Sequence, residues 1–408
     1  MRRWLHWLTL PIAAILLLFN LRRLIFTFVA LFNKSAPEIA ASDSSLIPHP
    51  SSLILIPCRN EAATLLGLID CLDRVEYPAD RLHIALIDDG SIDATGEIID
   101  QAARARSNWT AIHLAINRGK PKALNDALSQ IEFGEVIVVY DVDHRPEPDS
   151  LVKLIAAFDD PFVAGASGRT KPINPTASWP AYYATVESLV HQLITMRAKD
   201  QLDLAPALLG SNCAYRRSAL LQAGGFRSGA LLEDSDLTVR LTRFGYRLRF
   251  VPESIAWHQM PESIEGYIEQ HMRWSRGFND VARDHLIDLL RDRAVPPRVR
   301  IESAIFALGY LDRLALLSAL GMQLIDRIFG SGFYFTKSIL QLSLIMPLIQ
   351  IAAIFKSERV SISMWRRFPV IPLLFGLDIF VAVRSMLESL LNRPRVWTKT
   401  QRLQELNK

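Results

Sequence analysis

The chain has 408 residues, of which 50% are hydrophobic and 22% are charged. Apolar side chains are therefore plentiful enough to exclude a disordered chain, and 19 glycines and 22 prolines are too few for a collagen-like or low-complexity architecture. The positive mean hydropathy indicates membrane segments, and a net charge of only +4 does not suggest a nucleic-acid binder.

The first apolar segment runs from Trp4 to Asn20 and is just long enough to cross a bilayer at about 1.5 Å per residue. A second stretch, Leu24–Phe32, either continues it or forms an interfacial turn. A cleaved signal peptide is the alternative, but no small-residue cleavage site directly follows the apolar run. We predict an uncleaved anchor over residues 1–33, then a Ser-, Ala- and Pro-rich linker over 34–52.

The next part of the chain alternates short apolar runs with helix-like segments. This pattern predicts an α/β fold with a doubly wound, mostly parallel sheet covered on both faces. Ligands of such sheets bind beyond the carboxyl ends of the strands, which places Pro57–Glu61, Asp88–Ser91 and Asp141–Asp143 along one edge. The three cysteines lack metal-type spacing and indicate a reducing compartment. The predicted strands are 53–56, 84–87, 112–116 and 136–140, and the predicted helices are 61–75, 92–106 and 121–131.

Two acidic pairs follow predicted strands at this edge. Asp88 and Asp89 could accept hydrogen bonds from a base or a ribose, although Asp-Gly is also an ordinary turn sequence. Asp141 and Asp143 could converge on one cation, and their hard oxygen ligands suit Mg²⁺ or Mn²⁺. Two solvated acids at a loop start are the alternative, but delivery by an apolar strand favours the metal. His144 could add a ligand, although we expect a surface histidine there.

Two predicted helices begin with charged segments. The free N–H groups at 117–122 could bind a diphosphate, with Lys120 and Lys122 adding positive charge. Solvated lysines are the alternative. The acidic segment Leu232–Asp236 opens a later helix, where acids are also routine because they interact favourably with the helix dipole.

The segment 270–300 combines a polar helix face with an amphipathic, basic stretch. Gln270, Arg273 and Trp274 share one face of a helix, where Arg can clamp a phosphate and Trp can flank a sugar ring. Packing of this face against the domain is the alternative. Residues 281–290 look amphipathic and 291–300 are basic, which predicts an interfacial helix that seats the domain on anionic lipid.

Residues 301–392 form a second apolar region, in which we predict two to four membrane segments. Charges within two of these segments should face protein or a water-filled path, or pair locally, because a charge at a bilayer centre costs about 2.5–3.5 kcal/mol on insertion scales. The candidate spans are Ser303–Ile325, Ser338–Phe355 and Phe368–Leu391, and the charges are Asp312, Arg313, Asp378, Arg384 and Glu388.

The side of the membrane is only partly indicated. The basic loop 356–368 should be cytoplasmic by the positive-inside rule. Three full spans would then place the basic tail 393–408 outside, against the same rule. Pro369 and Pro372 could instead make the last segment re-entrant and keep the tail inside.

Taken in order, these motifs resemble the membrane-bound family-2 glycosyltransferases with the GT-A fold, a group that contains cellulose, mannan, chitin and hyaluronan synthases. The resemblance runs from about Leu53 to Phe278 and implies a GT-A (Rossmann-like) domain over 53–280, inserted between the N-terminal and C-terminal membrane helices. It rests on Pro57–Glu61, Asp88–Ser91, Gly119–Asn125, Asp141–Asp143, Gly210–Asn212 with Arg216 and Arg217, Gly224–Phe226, Glu233–Asp234 and Gln270–Trp274, with a looser match at Arg395–Thr400.

The resemblance also implies roles for individual residues. Asp141 and Asp143 would be the D-x-D pair that handles Mg²⁺ or Mn²⁺ and the diphosphate, and Asp234 would be the general base of an inverting displacement. Leu232 stands where the family has Thr, but the Glu-Asp pair after it is intact. The nucleotide-sugar would contact Pro57, Arg59, Glu61, Asp88, Asp89, Lys122 and Asp141, and the acceptor and diphosphate would contact Ser211, Asn212, Cys213, Glu233, Gln270, Arg273 and Trp274.

We therefore expect an integral protein of the plasma or inner membrane, with a cytoplasmic catalytic domain, that transfers a sugar from a nucleotide-sugar during polysaccharide synthesis. UDP is the carrier that the resemblance favours. The alternative is transfer of one sugar to a membrane lipid, because ceramide-type glucosyltransferases also carry an R-W motif. A non-catalytic nucleotide-binding scaffold is a third reading, against which the intact acidic residues argue. The sequence leaves the donor sugar, the linkage, the choice between glycan and lipid acceptor, and any partner subunits open.

Overall fold

The centre of the fold is an eight-stranded mixed sheet with the strand order β3-β2-β1-β4-β7-β6-β8-β5. The structure, a computed structural model, describes residues 2–32, 49–329, 334–391 and 393. The strands are β1 (Ser52–Cys58), β2 (Leu82–Asp89), β3 (Trp109–Leu114), β4 (Val136–Val139), β5 (Arg145–Pro146), β6 (Val163–Pro172), β7 (Cys213–Arg216) and β8 (Arg247–His258).

The first half of the sheet is parallel, as the alternating pattern predicts, and the second half is mixed. Strands β3, β2, β1 and β4 are parallel neighbours. Strand β7 runs antiparallel to both β4 and β6, because the chain enters β7 at the edge where β4 ends. Strands β6 and β8 are parallel, and the short β5 pairs with β8 in the antiparallel sense. Loops from both halves therefore meet at one edge of the sheet.

Helices cover both faces of the sheet and continue into the terminal regions. A π-helical turn, His191–Met196, joins two of them into one continuous helix. The α-helices of the described residues are α1 (Arg2–Phe32), α2 (Ala62–Leu72), α3 (Thr95–Arg104), α4 (Lys120–Gln130), α5 (Ser150–Ile155), α6 (Trp179–Val190), α7 (Arg197–Gln201), α8 (Arg217–Gln222), α9 (Glu233–Arg243), α10 (Ile264–Arg291), α11 (Pro297–Ala307), α12 (Leu311–Phe329), α13 (Tyr334–Ser357), α14 (Ile362–Arg367) and α15 (Ile371–Leu390).

The apolar run of β1 explains why both faces of the sheet are covered. Successive strand residues point to opposite faces, so Ile54 and Ile56 pack in the core under α2, α3 and α5. Leu53 and Leu55 pack in the opposite core with α4, α8 and α9. All four side chains are fully buried. This is the doubly wound arrangement that the sequence predicts.

Within the part of the chain that the structure describes, three helices are long and apolar enough to cross a membrane: Thr9–Phe32 within α1, Lys337–Ser357 within α13, and Ile362–Leu390, which comprises α14 and α15. The two N-terminal apolar stretches are thus one continuous helix, so the second stretch continues the first. The predicted span 303–325 is different, because α11 and α12 are bent by 64° at a short break between them. They would add a fourth span only if the bent pair crosses as one unit.

The interfacial helix predicted at 281–290 is not a separate element. These residues form the C-terminal part of α10. Val281 and Leu289 pack with Val239, Ala304 and Ala307 of α9 and α11, whereas Ile287 and Leu290 are 61% and 51% exposed. Contact of this segment with lipid therefore stays a prediction. The linker residues 34–48, and the tail with the segment Arg395–Thr400, lie outside the described residues.

Candidate active site

The carboxyl ends of β1, β2 and β4 open into one cleft of about 1410 Å³. Residues from every predicted motif within the domain except Gly224–Phe226 line it. Four of the predicted site residues, all within the described part of the chain, do not line it: Asp88, Lys122, Asn212 and Cys213. The predicted site residues that do line it are Pro57, Arg59, Glu61, Asp89, Asp141, Asp143, Ser211, Glu233, Asp234, Gln270, Arg273 and Trp274.

The loops that follow β1 and β2 hold each other at the edge of the cleft. The N–H of Asn60 donates to Ser91 Oγ at 3.0 Å, and the N–H of Ile92 donates to Asn60 Oδ1 at 2.9 Å. Asn60 has a φ of 51°, which Asn tolerates better than most residues. Asp88 serves this turn, because its Oδ1 accepts the N–H of Ser91 at 2.9 Å. Asp88, one of the last two residues of β2, therefore holds this turn and does not line the cleft.

Asp89 ties the loop after β2 to the start of α4. Its buried carboxylate accepts the N–H of Arg118 at 2.6 Å and the N–H of Gly119 at 2.8 Å. Gly119 has a φ of 81°, a conformation that glycine adopts without strain. Asp89 thus fixes the N-terminus of α4 at the wall of the cleft.

Lys120 is one of the cations that line the cleft. Its Nζ donates to Asp141 Oδ1 and to the carbonyl of Gly210, both at 2.8 Å, and lies 3.3 Å from Glu233 Oε1. Burial opposes its charge, but the surrounding carboxylates outweigh burial and raise the pKa of Lys120. Lys122 is exposed and lies outside the cleft. Of the two lysines that the sequence predicts to add positive charge here, only Lys120 lines the cleft.

Three side chains after β4 form a group that could hold a metal ion. Oxygen atoms of Asp141 and Asp143 and a ring nitrogen of His144 lie within 4.8 Å of one another. Carboxylates and imidazole form a donor set that accepts Mg²⁺ less readily than Mn²⁺, because nitrogen ligands suit the softer ion. His144 is buried, not on the surface as expected, because its ring stacks on His258 at a centroid distance of 5.1 Å.

Asp234 begins α9 and faces the same cleft. Its Oδ1 accepts the N–H of Ser235 at 2.6 Å. A Cβ at Gly210 would lie 2.8 Å from Asp234 Oδ2, so only glycine leaves room for this carboxylate. Burial and the neighbouring negative charge of Glu233 raise the pKa of Asp234 to about 7. A carboxylate with such a pKa is well matched to proton abstraction near neutral pH.

The loop before β7 lines the cleft over residues 207–211. The Oγ of Ser211 accepts the N–H of Asp141 at 2.8 Å. Asn212 and Cys213 point into the protein instead. Asn212 Nδ2 donates to the carbonyl of Ser254 at 3.0 Å, and Cys213 Sγ lies 3.1 Å from Ser167 Oγ. Of the three acceptor-site residues predicted here, the structure places only Ser211 in the cleft.

Helix α10 supplies a polar wall with an aromatic side chain. Gln270, Arg273 and Trp274 line the cleft together. His271, which the motif analysis did not single out, lies between the ring of Trp274 and that of Tyr267, at centroid distances of 4.7 and 3.8 Å. Its Nε2 is 3.2 Å from a carboxylate oxygen of Glu187 on α6, and this ion pair raises the pKa of His271 although burial opposes the charge.

His258 and Glu187 are cleft residues that the sequence analysis missed. A signal existed for His258, because it ends a long strand at the ligand edge of the sheet. Glu187 lies inside an apolar helix whose sequence carries no recognisable motif.

The cleft extends beyond the sheet domain into the region of the candidate membrane spans. Phe19 of α1, Ser343 of α13 and Phe375 of α15 line the same cavity as Asp141. One continuous space thus connects the metal-type group with the membrane helices.

A sequence model of the family described as "Glycosyltransferase like family 2" matches residues 49–277, more than half of the chain. "Probable glycosyltransferase YdaM" of Bacillus subtilis is 31% identical over 235 residues, which cover 56% of this chain and 55% of that protein. "Poly-beta-1,6-N-acetyl-D-glucosamine synthase" of Staphylococcus epidermidis is 27% identical over 242 residues, 58% of this chain and 55% of that protein. "Beta-monoglucosyldiacylglycerol synthase" of Synechocystis is 24% identical over 286 residues, 67% and 58% of the two chains.

The chain spans just over half the length of the relatives that it matches. Among solved structures, the mannosyltransferase PcManGT from Pyrobaculum calidifontis, in complex with GDP-Man and Mn²⁺, superposes with a TM-score of 0.58 at 21% identity, over 84% of this chain and 96% of that one. This similarity confirms the GT-A fold of the sheet domain. With the family match over residues 49–277, it follows that the chain belongs to glycosyltransferase family 2.

Proposed function

We propose that the chain transfers a sugar from a nucleotide-sugar, with UDP as the carrier, to a hydroxyl group by an inverting, metal-dependent displacement. The observation that carries this proposal is that Asp234 shares one cleft with the group of Asp141, Asp143 and His144. A base and a cation site in one cleft can act on the attacking hydroxyl and on the leaving diphosphate of the same displacement.

The donor would bind along the edge formed by β1, β2 and β4. Pro57, Arg59, Glu61 and Asp89 line the part of the cleft nearest to β1 and β2, where the nucleoside would lie. Lys120 would offer its positive charge to the diphosphate, whose negative charge grows as the bond to the sugar breaks.

Asp141, Asp143 and His144 would hold the Mg²⁺ or Mn²⁺ ion, which supplies positive charge to the diphosphate when bound. In the displacement, Asp234 accepts the proton of the acceptor hydroxyl while that oxygen bonds to the anomeric carbon. The bond from this carbon to the diphosphate oxygen breaks on the opposite side, so the configuration inverts. The products are the glycoside, the nucleoside diphosphate and protonated Asp234, which returns its proton to water.

We also propose an integral protein of the plasma or inner membrane with a cytoplasmic catalytic domain. The loop between α13 and α15 packs against this domain, since Glu358 accepts a hydrogen bond from Arg169 at 2.6 Å and Arg367 lies 5.0 Å from the ring centroid of Trp179. Loop and domain therefore lie on the same side of the membrane, and the positive-inside rule favours the cytoplasm for a loop that contains Lys356, Arg359, Arg366 and Arg367.

Two product classes fit this reaction. The name of the Staphylococcus epidermidis relative favours synthesis of a polysaccharide. The name of the Synechocystis relative favours sugar transfer to a lipid, and the extension of the cleft among the candidate membrane spans is a specific observation in favour of this second candidate.

The test of the proposed reaction uses membranes that contain the full chain, Mn²⁺ and a panel of radiolabelled UDP- and GDP-sugars. We expect incorporation from a UDP-sugar, with release of UDP. Asp234→Asn should retain binding of UDP, measured by calorimetry on purified protein, and lose about 10³-fold in transfer, since general base catalysis contributes factors of this order. Undiminished turnover in Asp234→Asn would contradict the role of Asp234, and absence of turnover from every donor would contradict the proposed reaction.

A further inference from the structure

The end of the cavity that lies among the membrane helices is apolar. Phe19 and Phe26 of α1, Phe375 of α15, and Leu344, Ile345 and Pro347 of α13 line this end. Ser343 and Gln350 of α13 also line the cavity, but both are bonded within the helix bundle, since Asn20 Nδ2 donates to Ser343 Oγ at 2.7 Å and Gln350 Nε2 donates to Thr27 Oγ1 at 2.9 Å. This end therefore offers few hydrogen-bond partners to a sugar chain, and burying unpaired hydroxyl groups against it would be costly. The same lining favours a hydrocarbon chain, because burial of apolar surface is favourable.

The polar middle of the cavity lies between this apolar end and Trp274. Its acidic and basic side chains are paired with one another. Arg22 makes a two-pronged contact with Glu302, with hydrogen bonds of 2.9 and 2.7 Å. Arg313 contacts Asp312 at 2.9 Å and Asp378 at 3.4 Å.

Two further cations of this region are also paired with carboxylates. Arg23 also binds Asp312, and Lys199 lies 3.7 Å from Glu302. Each of these cations therefore has a carboxylate partner within the protein, with three carboxylates shared by the four cations. This arrangement offers hydrogen bonds to an uncharged polar group, whereas a lipid phosphate would have to compete with the carboxylates already in place.

The apolar end of the cavity is bordered by α13 residues that are also exposed on the outer surface of the helix bundle. Helix α13 packs against α1, α12 and α6, whereas α15 packs against α10 and α12. Leu344 and Ile345 line the cavity and are nevertheless 43% and 51% exposed. Both helices are candidate membrane spans, so this side of the cavity would face lipid.

We propose that the acceptor is an uncharged membrane lipid with a free hydroxyl group, which enters between α13 and α15. This inference rests on the proposed glycosyl transfer and specifies its acceptor. The acyl chains lie along Leu344, Ile345 and Phe375, and the headgroup extends past the paired charges toward Trp274 and Asp234. The lipid hydroxyl oxygen bonds to the anomeric carbon, the carbon–diphosphate bond breaks, and the hydroxyl proton goes to Asp234.

The experiment is a fractionation of the labelled products from membranes that contain the full chain, Mn²⁺ and radiolabelled UDP-sugars. We expect the label in the organic phase, in a lipid that passes through an anion-exchange column. Label in an insoluble or aqueous polymer would overturn the inference, as would an organic product that the anion exchanger retains as a lipid phosphate. If no donor is consumed, the proposed reaction itself fails, so the two failures are distinguishable.

A pair of variants tests the entry route. Leu344→Trp narrows the opening and should lower the rate of lipid labelling about tenfold, since small displacements of a reacting group cost much of the rate. Leu342→Trp, an exposed position on the same helix that does not line the cavity, is the matched control and should label lipid at the parental rate. Binding of UDP to purified Leu344→Trp verifies its folding. Equal labelling by both variants would overturn entry between α13 and α15.

Discussion

Oδ1 of Asp236 on α9 lies 2.7 Å from Nε2 of His285 on α10. Asp236 is two residues from Asp234, and His285 is on the helix that carries Trp274. The Asp236 carboxylate is buried and also binds Arg240 at 2.7 Å. The contact therefore fixes α9, which carries the candidate base Asp234, against α10, which carries Trp274. On α10 it lies about three helical turns beyond Trp274.

The first prediction concerns the strength of this contact. In His285→Ala, Asp236 keeps Arg240 but loses a hydrogen bond to a buried carboxylate, so we expect destabilisation by about 1–3 kcal/mol. Thermal unfolding of the purified protein in detergent at pH 7 measures the loss. Asp288→Ala on the same helix is the matched control, because its side chain is 61% exposed and it should unfold at the parental temperature.

The pH dependence of stability follows from the same carboxylate. Although burial opposes it, the hydrogen bonds from His285 and Arg240 lower the pKa of Asp236 to about 2 from an ordinary value of 3.8. The group stabilises the fold fully above pH 4 and progressively less as the pH falls toward 2. Because His285→Ala raises this pKa, the variant should lose less stability than the parent on acidification in that range. An equal loss in both proteins would contradict the assignment.

The second prediction is the pH profile of sugar transfer. The pKa of Asp234 is raised to about 7 by burial and by Glu233, and only the deprotonated carboxylate can accept a proton. The rate at saturating donor should therefore rise about tenfold from pH 6 to pH 8 and then level off. Initial rates in a buffer series of constant ionic strength measure this. A rate that is flat over the range would show that a different group accepts the proton.

Much of the sheet domain could be predicted because its pattern is local. The apolar run of β1 is followed directly by Arg59 and Glu61, so the same short segment predicts both the strand and the residues at the edge of the cleft. The pair Asp141 and Asp143 is recognisable for the same reason, because a strand that ends in two acids places both at one edge.

The remaining site residues depend on packing between distant segments. The sequence gives no indication that His144 stacks on His258, since 114 positions separate them. Lys120 and Lys122 look equivalent in the sequence, but the start of α4 turns only Lys120 toward Asp141. Asn212 lies between Ser211, which lines the cleft, and strand β7. Its side chain points into the protein because it donates to the carbonyl of Ser254, a residue far away in the sequence.

The third prediction separates the two lysines. Lys120→Gln removes the charge beside Asp141 and Glu233, so transfer should fall about 10²-fold through lost stabilisation of the leaving diphosphate. The charge of Lys120 also lowers the pKa of Asp234, so the pH profile of this variant should move to higher pH. Lys122→Gln is the matched control, since its side chain is exposed outside the cleft, and it should match the parent in rate and profile. Equal losses in both variants would restore Lys122 as a diphosphate ligand.

The fourth prediction concerns Leu232, which stands where the family has Thr. A Cβ at Gly277 would lie 2.4 Å from Leu232 Cγ, so this leucine fits only because α10 carries glycine at that position. Gly277→Ala should push Leu232 aside, shift the adjacent Asp234, and lower transfer by about 10-fold to 10²-fold, since small displacements of a catalytic group are costly.

The smaller side chain in Leu232→Thr makes room for the added methyl group, so the double variant Leu232→Thr/Gly277→Ala should recover most of the lost activity. If the two substitutions acted independently, their effects on the rate would simply combine, so a recovery would show that residues 232 and 277 are coupled. Gly321→Ala is the matched control, because nothing lies within 4 Å of its added Cβ, and it should transfer sugar at the parental rate. Purified variants are compared by initial rate and by UDP binding. If the double variant is no more active than Gly277→Ala alone, the Leu232–Gly277 contact does not position Asp234.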